Sequence, residues 1–131
     1  MDAAEKCRLL AKTLGKLRAE TILVEGKRDR RALQELIPGA KIFLAQGKKE
    51  RLVERLSGCR TVAVLFDFDE EGNRKTQEWR ELLSEEGFRV DAESRKRLRA
   101  ALGITFFEDL DRKKSELETK MEEQKIAFKV I

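Results

Sequence analysis

The chain reads as a compact α/β domain, a mainly parallel sheet of about four strands with helices on both faces. Its strand-length apolar runs are continuous rather than alternating, as expected of strands buried on both faces. Segments of helical periodicity separate those runs, and parallel neighbours need such crossovers. At 131 residues the chain is long enough for one substantial core and short for two, so 1–131 is read as a single domain.

The elements follow in order. Residues 2–18 place Cys7, Leu10, Leu14 and Leu17 on one helical stripe, and Asp2 with Glu5 suits a capping-box start. TILVE (21–25), apolar and β-branched, is the first strand. A helix from Arg28 to Ile37 follows, with Ala32, Leu33, Leu36 and Ile37 inward and Pro38-Gly39 as its stop. AKIFLA (40–45) is a second strand, and KKERLVERLS (48–57) a short basic helix ending near Gly58. TVAVLFD (61–67) is the clearest strand of all. The next helix is expected from Asn73 to Glu86, with Trp79, Leu82 and Leu83 inward and Gly87 at its C′ position. FRVDA (88–92) alternates and gives a less buried fourth strand. Ser94 is placed to cap SRKRLRAAL, which Gly103 ends. After ITFFEDL comes a charged stretch, 111–125, anchored by Leu117 and Met121. The terminal IAFKVI alternates, which suits an edge strand, a docked tail or a loose end.

Composition excludes several chemistries. With no histidine, no imidazole can serve as base or metal ligand, and with no tyrosine no phosphotyrosyl intermediate can form. Cys7 and Cys59 have no ligand spacing and read as packing residues. No apolar run approaches the ~20 residues of a membrane span, and the acidic start lacks a signal-peptide pattern, so a cytoplasmic protein without membrane contact is expected. Catalysis would then fall to carboxylates, lysine, arginine, hydroxyls, thiols or a metal.

Two strand exits carry acids. Glu25 ends the first strand and is followed by Gly26; Asp67 and Asp69 end the third, followed by Glu70, Glu71 and Gly72. Ligands of such sheets gather beyond the carboxyl ends of strands. Alternation puts Asp67 and Asp69 on one side and Phe68 on the other. If the two strands are neighbours, three carboxylates meet at one rim, an unfavourable arrangement without a counter-ion. It suits one or two Mg²⁺ ions, with Mn²⁺ able to substitute, because magnesium takes hard oxygen ligands and leaves positions to water and phosphate. The chemistry that uses such a site without histidine is metal-assisted phosphoryl transfer. Taken singly each motif has a structural explanation: solvated strand-end acids, Asp29 as a helix N-terminal acid, Glu70 and Glu71 complementing a helix dipole. The two glycines stand where a backbone must turn or approach closely.

VEGKRD (24–29) followed by LFDFDEEGN (65–73) resembles the two signature segments of the Toprim domain, shared by topoisomerases, bacterial-type primases and several nucleases. The likeness covers about residues 20–92, with the 2–18 helix before it and a helical extension, 94–131, after it. With VDAESRKRLRAALGI (90–104) included, it is most similar to small stand-alone Toprim proteins of archaea. The resemblance implies a compact Rossmann-like fold and roles by position: Glu25 as general acid/base or metal ligand, Asp67 and Asp69 as the metal pair, Asp29 as a secondary acid, and Glu71, less securely matched, as a third acid. Without tyrosine, topoisomerase strand passage is excluded, and without a zinc module or polymerase domain a full primase is disfavoured.

Basic residues gather at the same rim. Lys27, Arg28, Arg30 and Arg31 follow Glu25; Lys48, Lys49 and Arg51 follow the second strand; Arg74 and Lys75 open the helix after the acids. Basic side chains at a helix N-terminus suit phosphate. SRKRLR adds Arg95, Lys96, Arg97 and Arg99, commonly no more than a solvated face. Phe106 and Phe107 suit a hydrophobic clamp better than a base-stacking platform. The expectation is a magnesium-dependent protein acting on phosphodiester bonds of RNA or DNA, nuclease-like, with a partner protein supplying specificity to so small a chain. The alternative is a non-catalytic metal- and nucleic-acid-binding module of a larger complex. A phosphoacceptor signalling domain is disfavoured, since it wants paired acids after the first strand and a lysine after a fifth; a phosphatase with Asp67 as nucleophile would need more chain.

Overall fold

The computed structural model describes the backbone of residues 1–130 and the side chains of 1–125. Helix α1 (Ala3–Arg18) leads into β1 (Thr21–Val24), α2 (Lys27–Leu36), β2 (Lys41–Leu44), α3 (Lys49–Arg55), β3 (Thr61–Val64), α4 (Glu70–Glu85), β4 (Arg89–Asp91), α5 (Ser94–Leu102), a 3-10 turn (Phe107–Asp109) and α6 (Leu110–Val130). The four strands form one sheet in the order β2-β1-β3-β4, parallel throughout.

Alternation along the strands divides the core in two. Ile22, Val24, Ala63 and Leu65 face one side, against Leu10 and Leu17 of α1, Leu33 of α2, Leu98 of α5 and Leu117 of α6. Leu23, Val62, Val64 and Phe66 face the other, against Leu52 of α3 and Trp79 and Leu83 of α4. Both faces of β1 and β3 are therefore buried, which is why their sequences are continuously apolar.

Three boundaries differ from the sequence expectation, two of them through capping. Helix α4 begins at Glu70 rather than Asn73, because the Asp69 carboxylate accepts the Gly72 N–H at 2.8 Å and starts the helix one turn early. Ser94 does not cap α5 but is its first residue. The acceptor is Asp91 on β4, which takes the N–H groups of Glu93 and Ser94 and the Ser94 hydroxyl. The IAFKVI segment is no edge strand: its backbone continues α6 through Val130, while its side chains and Ile131 lie outside the described residues. Pairs one turn apart, Arg112–Glu116 and Lys114–Glu118, support that charged helix. The Asp2 carboxylate accepts the Glu5 N–H at the start of α1, and Gly103 closes α5 in the left-handed conformation, both as expected. Among the described residues no helix is long and apolar enough to cross a membrane.

Candidate functional site

The chain order places a crevice between β1 and β3. From β1 the chain leaves through α2, on one face, to reach β2 at one edge; from β3 it leaves through α4, on the other face, to reach β4 at the opposite edge. The two connections diverge, and the gap at the carboxyl ends of adjacent strands is where open parallel sheets bind ligands. Leu23 pairs with Val64, and the Leu65 N–H donates to the Leu23 carbonyl at 2.8 Å, so Glu25 and Asp67 leave neighbouring strands at the same rim.

Each acid at this rim is anchored through one oxygen. Asp29, in the first turn of α2, accepts the Gly26 N–H at 3.2 Å through Oδ2. Asp67 Oδ1 accepts the Phe107 N–H at 2.8 Å. Asp69 caps α4 through Oδ1. Glu25 Oε2 receives the Lys75 ammonium at 3.1 Å, and the same ammonium meets Glu71 Oε1 at 3.2 Å. The second oxygens of Glu25, Asp29, Asp67 and Asp69 take no hydrogen bond from a described residue.

The acids feel one another. Burial, then the Asp67 charge, pushes Asp29 up to about 6. Burial also raises Asp67, and the carboxylates of Glu25, Asp69 and Glu108 add to it against the Phe107 N–H. Glu108, not anticipated from the sequence, reaches the cluster from the 3-10 turn and lies 3.9 Å from Arg28. The donor set fits magnesium in kind: hard carboxylate oxygens, singly available. As they stand, no three Asp, Glu, Cys or His side chains among the described residues are arranged to hold an ion. Glu25 is turned to Lys75, so only a cation site that included Glu25 would require it to turn back.

Beneath the acids lies a brace that sequence reasoning missed. Arg95, read as part of a solvated basic run, is buried. Its Nε donates to the Phe66 carbonyl at 2.9 Å, and its Nη2 to the Asp67 carbonyl and to Asn73 Oδ1. Its guanidinium lies 4.3 Å from the Phe68 ring centre. Burial and the nearby Arg80 and Arg99 pull it down to about 10, which leaves it charged at neutral pH. The Phe68 N–H donates to the Thr105 carbonyl at 2.7 Å, and Phe68 stacks on buried Phe107 at 5.6 Å. Both sides of the 66–68 backbone are thus held. The only sequence signal for Arg95 was its place one turn before buried Leu98, a helical position that faces inward.

Gly72 serves close approach rather than a turn. A Cβ there would lie 2.1 Å from the Asp67 carbonyl oxygen, so α4 abuts the acid-bearing loop directly. Gly26 is the extended N-cap of α2 and gives its N–H to Asp29.

The basic residues divide. Lys27 and Arg28 open α2, Lys48 and Lys49 begin α3, and all four are exposed at the rim, as is Arg31 on α2. Arg30 is half-buried. No described acid lies within ion-pair reach of Lys27, Arg30, Arg31 or Lys48. Lys49 sits 5.8 Å from the Trp79 ring centre. Arg74 is paired with Glu78 at 2.6 Å and Lys75 with the acids, so these two are already neutralised. Phe107 is the expected clamp, whereas Phe106 is exposed.

Comparison with known proteins gives one informative match. A solved protein structure from Aquifex aeolicus, described without an activity, is similar over 76% of this chain and 95% of its own, with 32% sequence identity and a TM-score of 0.66. The two proteins belong to one family. No family model and no curated protein matches the chain.

Proposed function

We propose that this protein is a divalent-metal-dependent Toprim-type protein acting on nucleic-acid phosphodiester bonds, in the manner of a nuclease. One observation carries the reading: the sheet order makes β1 and β3 neighbours at the divergence of their helices, so Glu25, Asp29, Asp67 and Asp69 share one rim. Asp67 and Asp69, each with an uncommitted oxygen, would hold Mg²⁺, with Asp29 close by. A metal bound there supplies Lewis-acid stabilisation of the phosphoryl oxygens. Glu25 would manage the proton of the attacking water, and Lys27, Arg31 and Lys48 would hold flanking phosphates.

The test is a panel of labelled single- and double-stranded RNA and DNA incubated with Mg²⁺ or Mn²⁺. Cleavage that needs the metal and is lost in Glu25→Gln and Asp67→Asn is expected. Intact substrates throughout, with metal bound to folded protein, would overturn the hydrolytic reading. That outcome favours the second one, a non-catalytic binding module, which the engagement of Glu25 by Lys75 and the unpaired rim cations support. Such a module binds nucleic acid with steep salt dependence, and its binding survives Glu25→Gln.

A further inference from the structure

A shared rim of carboxylates raises the question of how many cations it takes. Pairs of divalent ions in phosphoryl-transfer sites sit about 3.5–4 Å apart and need carboxylates between them. Here one such place is filled by the protein itself. The Lys75 ammonium stands between Glu25 Oε2, at 3.1 Å, and Glu71 Oε1, at 3.2 Å. Glu71 and Lys75 are one turn apart on α4, so the helix presents both to the crevice together. Glu25 comes from the neighbouring strand exit, which makes the contact a tertiary one across the β1–β3 gap rather than a local surface pair.

We infer that Lys75 is the built-in second cation of this site, so that the protein binds one divalent ion, at the Asp67/Asp69 side, and not two. The inference rests on the metal-site reading above. An ammonium has three donors and no acceptor. Two are used by the carboxylates, and the third is available to a phosphate oxygen, where a second metal would otherwise sit. Being covalently held, this cation needs no recruitment and cannot be stripped by chelators. Its pairing also explains the present arrangement of the acids: Glu25 is occupied by the lysine, and the uncommitted oxygens of Asp67, Asp69 and Asp29 remain for the single ion.

Mn²⁺ binding to the full chain, counted by isothermal titration calorimetry and by electron paramagnetic resonance of free Mn²⁺, tests this without any substrate. Wild type is expected to bind one ion, lost in Asp67→Asn. Lys75→Met and Lys75→Gln, checked for folding by circular dichroism, are expected to bind two, or one at least about tenfold more tightly, because Glu25 and Glu71 are released as ligands. Two ions in wild type would overturn the inference while leaving the metal site standing. So would one ion of unchanged affinity in both lysine variants. No binding by any folded form would overturn the metal-site reading and this inference with it.

Discussion

Gly72→Ala gives a direct test of the site's framing, because two physical effects predict opposite signs. Position 72 lies in the first turn of α4, where alanine should favour the helix over glycine by about 0.5–1 kcal/mol. The structure says otherwise. The new Cβ would lie 2.1 Å from the Asp67 carbonyl oxygen and 2.7 Å from its carbonyl carbon, and Cβ atoms essentially never come within 3.0 Å of such neighbours. Backbone, not a pliable side chain, stands in the way, so the helix start must retreat by nearly an ångström. Retreat lengthens the Gly72 N–H to Asp69 Oδ1 bond, now 2.8 Å, and weakens the cap. Overpacking costs about 1–3 kcal/mol and a lost cap about 1 kcal/mol, so a net loss of about 1–3.5 kcal/mol remains after the propensity gain. For a domain of this size that is a fall of roughly 4–13 °C in melting temperature. Urea and thermal unfolding followed by circular dichroism measure it. An alanine variant as stable as wild type, or more so, would show that α4 does not abut the Asp67 loop as described, and the placement of Asp69 would fail with it.

Further outcomes follow from the same contacts. Arg95→Met strands the Phe66 and Asp67 carbonyls and should cost about 3–5 kcal/mol in urea unfolding; a loss below about 1 kcal/mol would return Arg95 to the solvated face. Asp29→Asn should stabilise the metal-free protein by about 1 kcal/mol at pH 7 after allowance for solvent screening, and weaken Mn²⁺ binding. Its folded pKa, about 6, exceeds the ordinary aspartate value of 3.8, so wild type binds more protons folded than unfolded and loses stability as pH rises through that window; the variant should not. Glu20, buried beside Asp91, is raised to about 8 by burial and then by that neighbour. Wild type should therefore lose about 2–4 kcal/mol between pH 5 and 9, and Glu20→Gln should flatten that slope in pH-dependent thermal unfolding; an unchanged slope would locate the pH dependence elsewhere.

Much of the fold was legible because continuous apolar runs leave a parallel strand few alternatives. The exits of β1 and β3 were legible for the same reason: an acid closing such a run must lie at the rim. What the sequence could not convey was pairing across distance. Arg95 looks like its neighbours Lys96 and Arg97, and only the close passage of the 66–68 loop over α5 makes it a buried donor. Glu108 lies far from Asp29 along the chain and reaches it through the 3-10 turn. Helix α4 began early because Asp69, read as a ligand, is also its cap, and one carboxylate can serve both ends. IAFKVI alternates like a strand, yet its backbone continues the helix of α6 through Val130.

Two aspartates, buried Asp91 at the end of β4 and half-buried Asp67 just past β3, show what distinguishes the rim. Asp91 receives the N–H groups of Glu93 and Ser94, the Ser94 hydroxyl and the Lys16 ammonium at 3.3 Å. Burial opposes its ionisation, but the adjoining Glu20 carboxyl and the hydrogen bonds from Ser94 and Glu93 outweigh that and hold it well below the usual carboxylate range. Asp67 receives a single N–H, is surrounded by other carboxylates, and is raised. A purely structural aspartate would be satisfied as Asp91 is, because an undercompensated buried charge is costly. The rim instead keeps its acids anchored by one oxygen, while Arg95 and the abutting α4 prevent the loop from relaxing into solvent. On the proposed metal-site reading, that uncompensated charge is what a bound cation would neutralise.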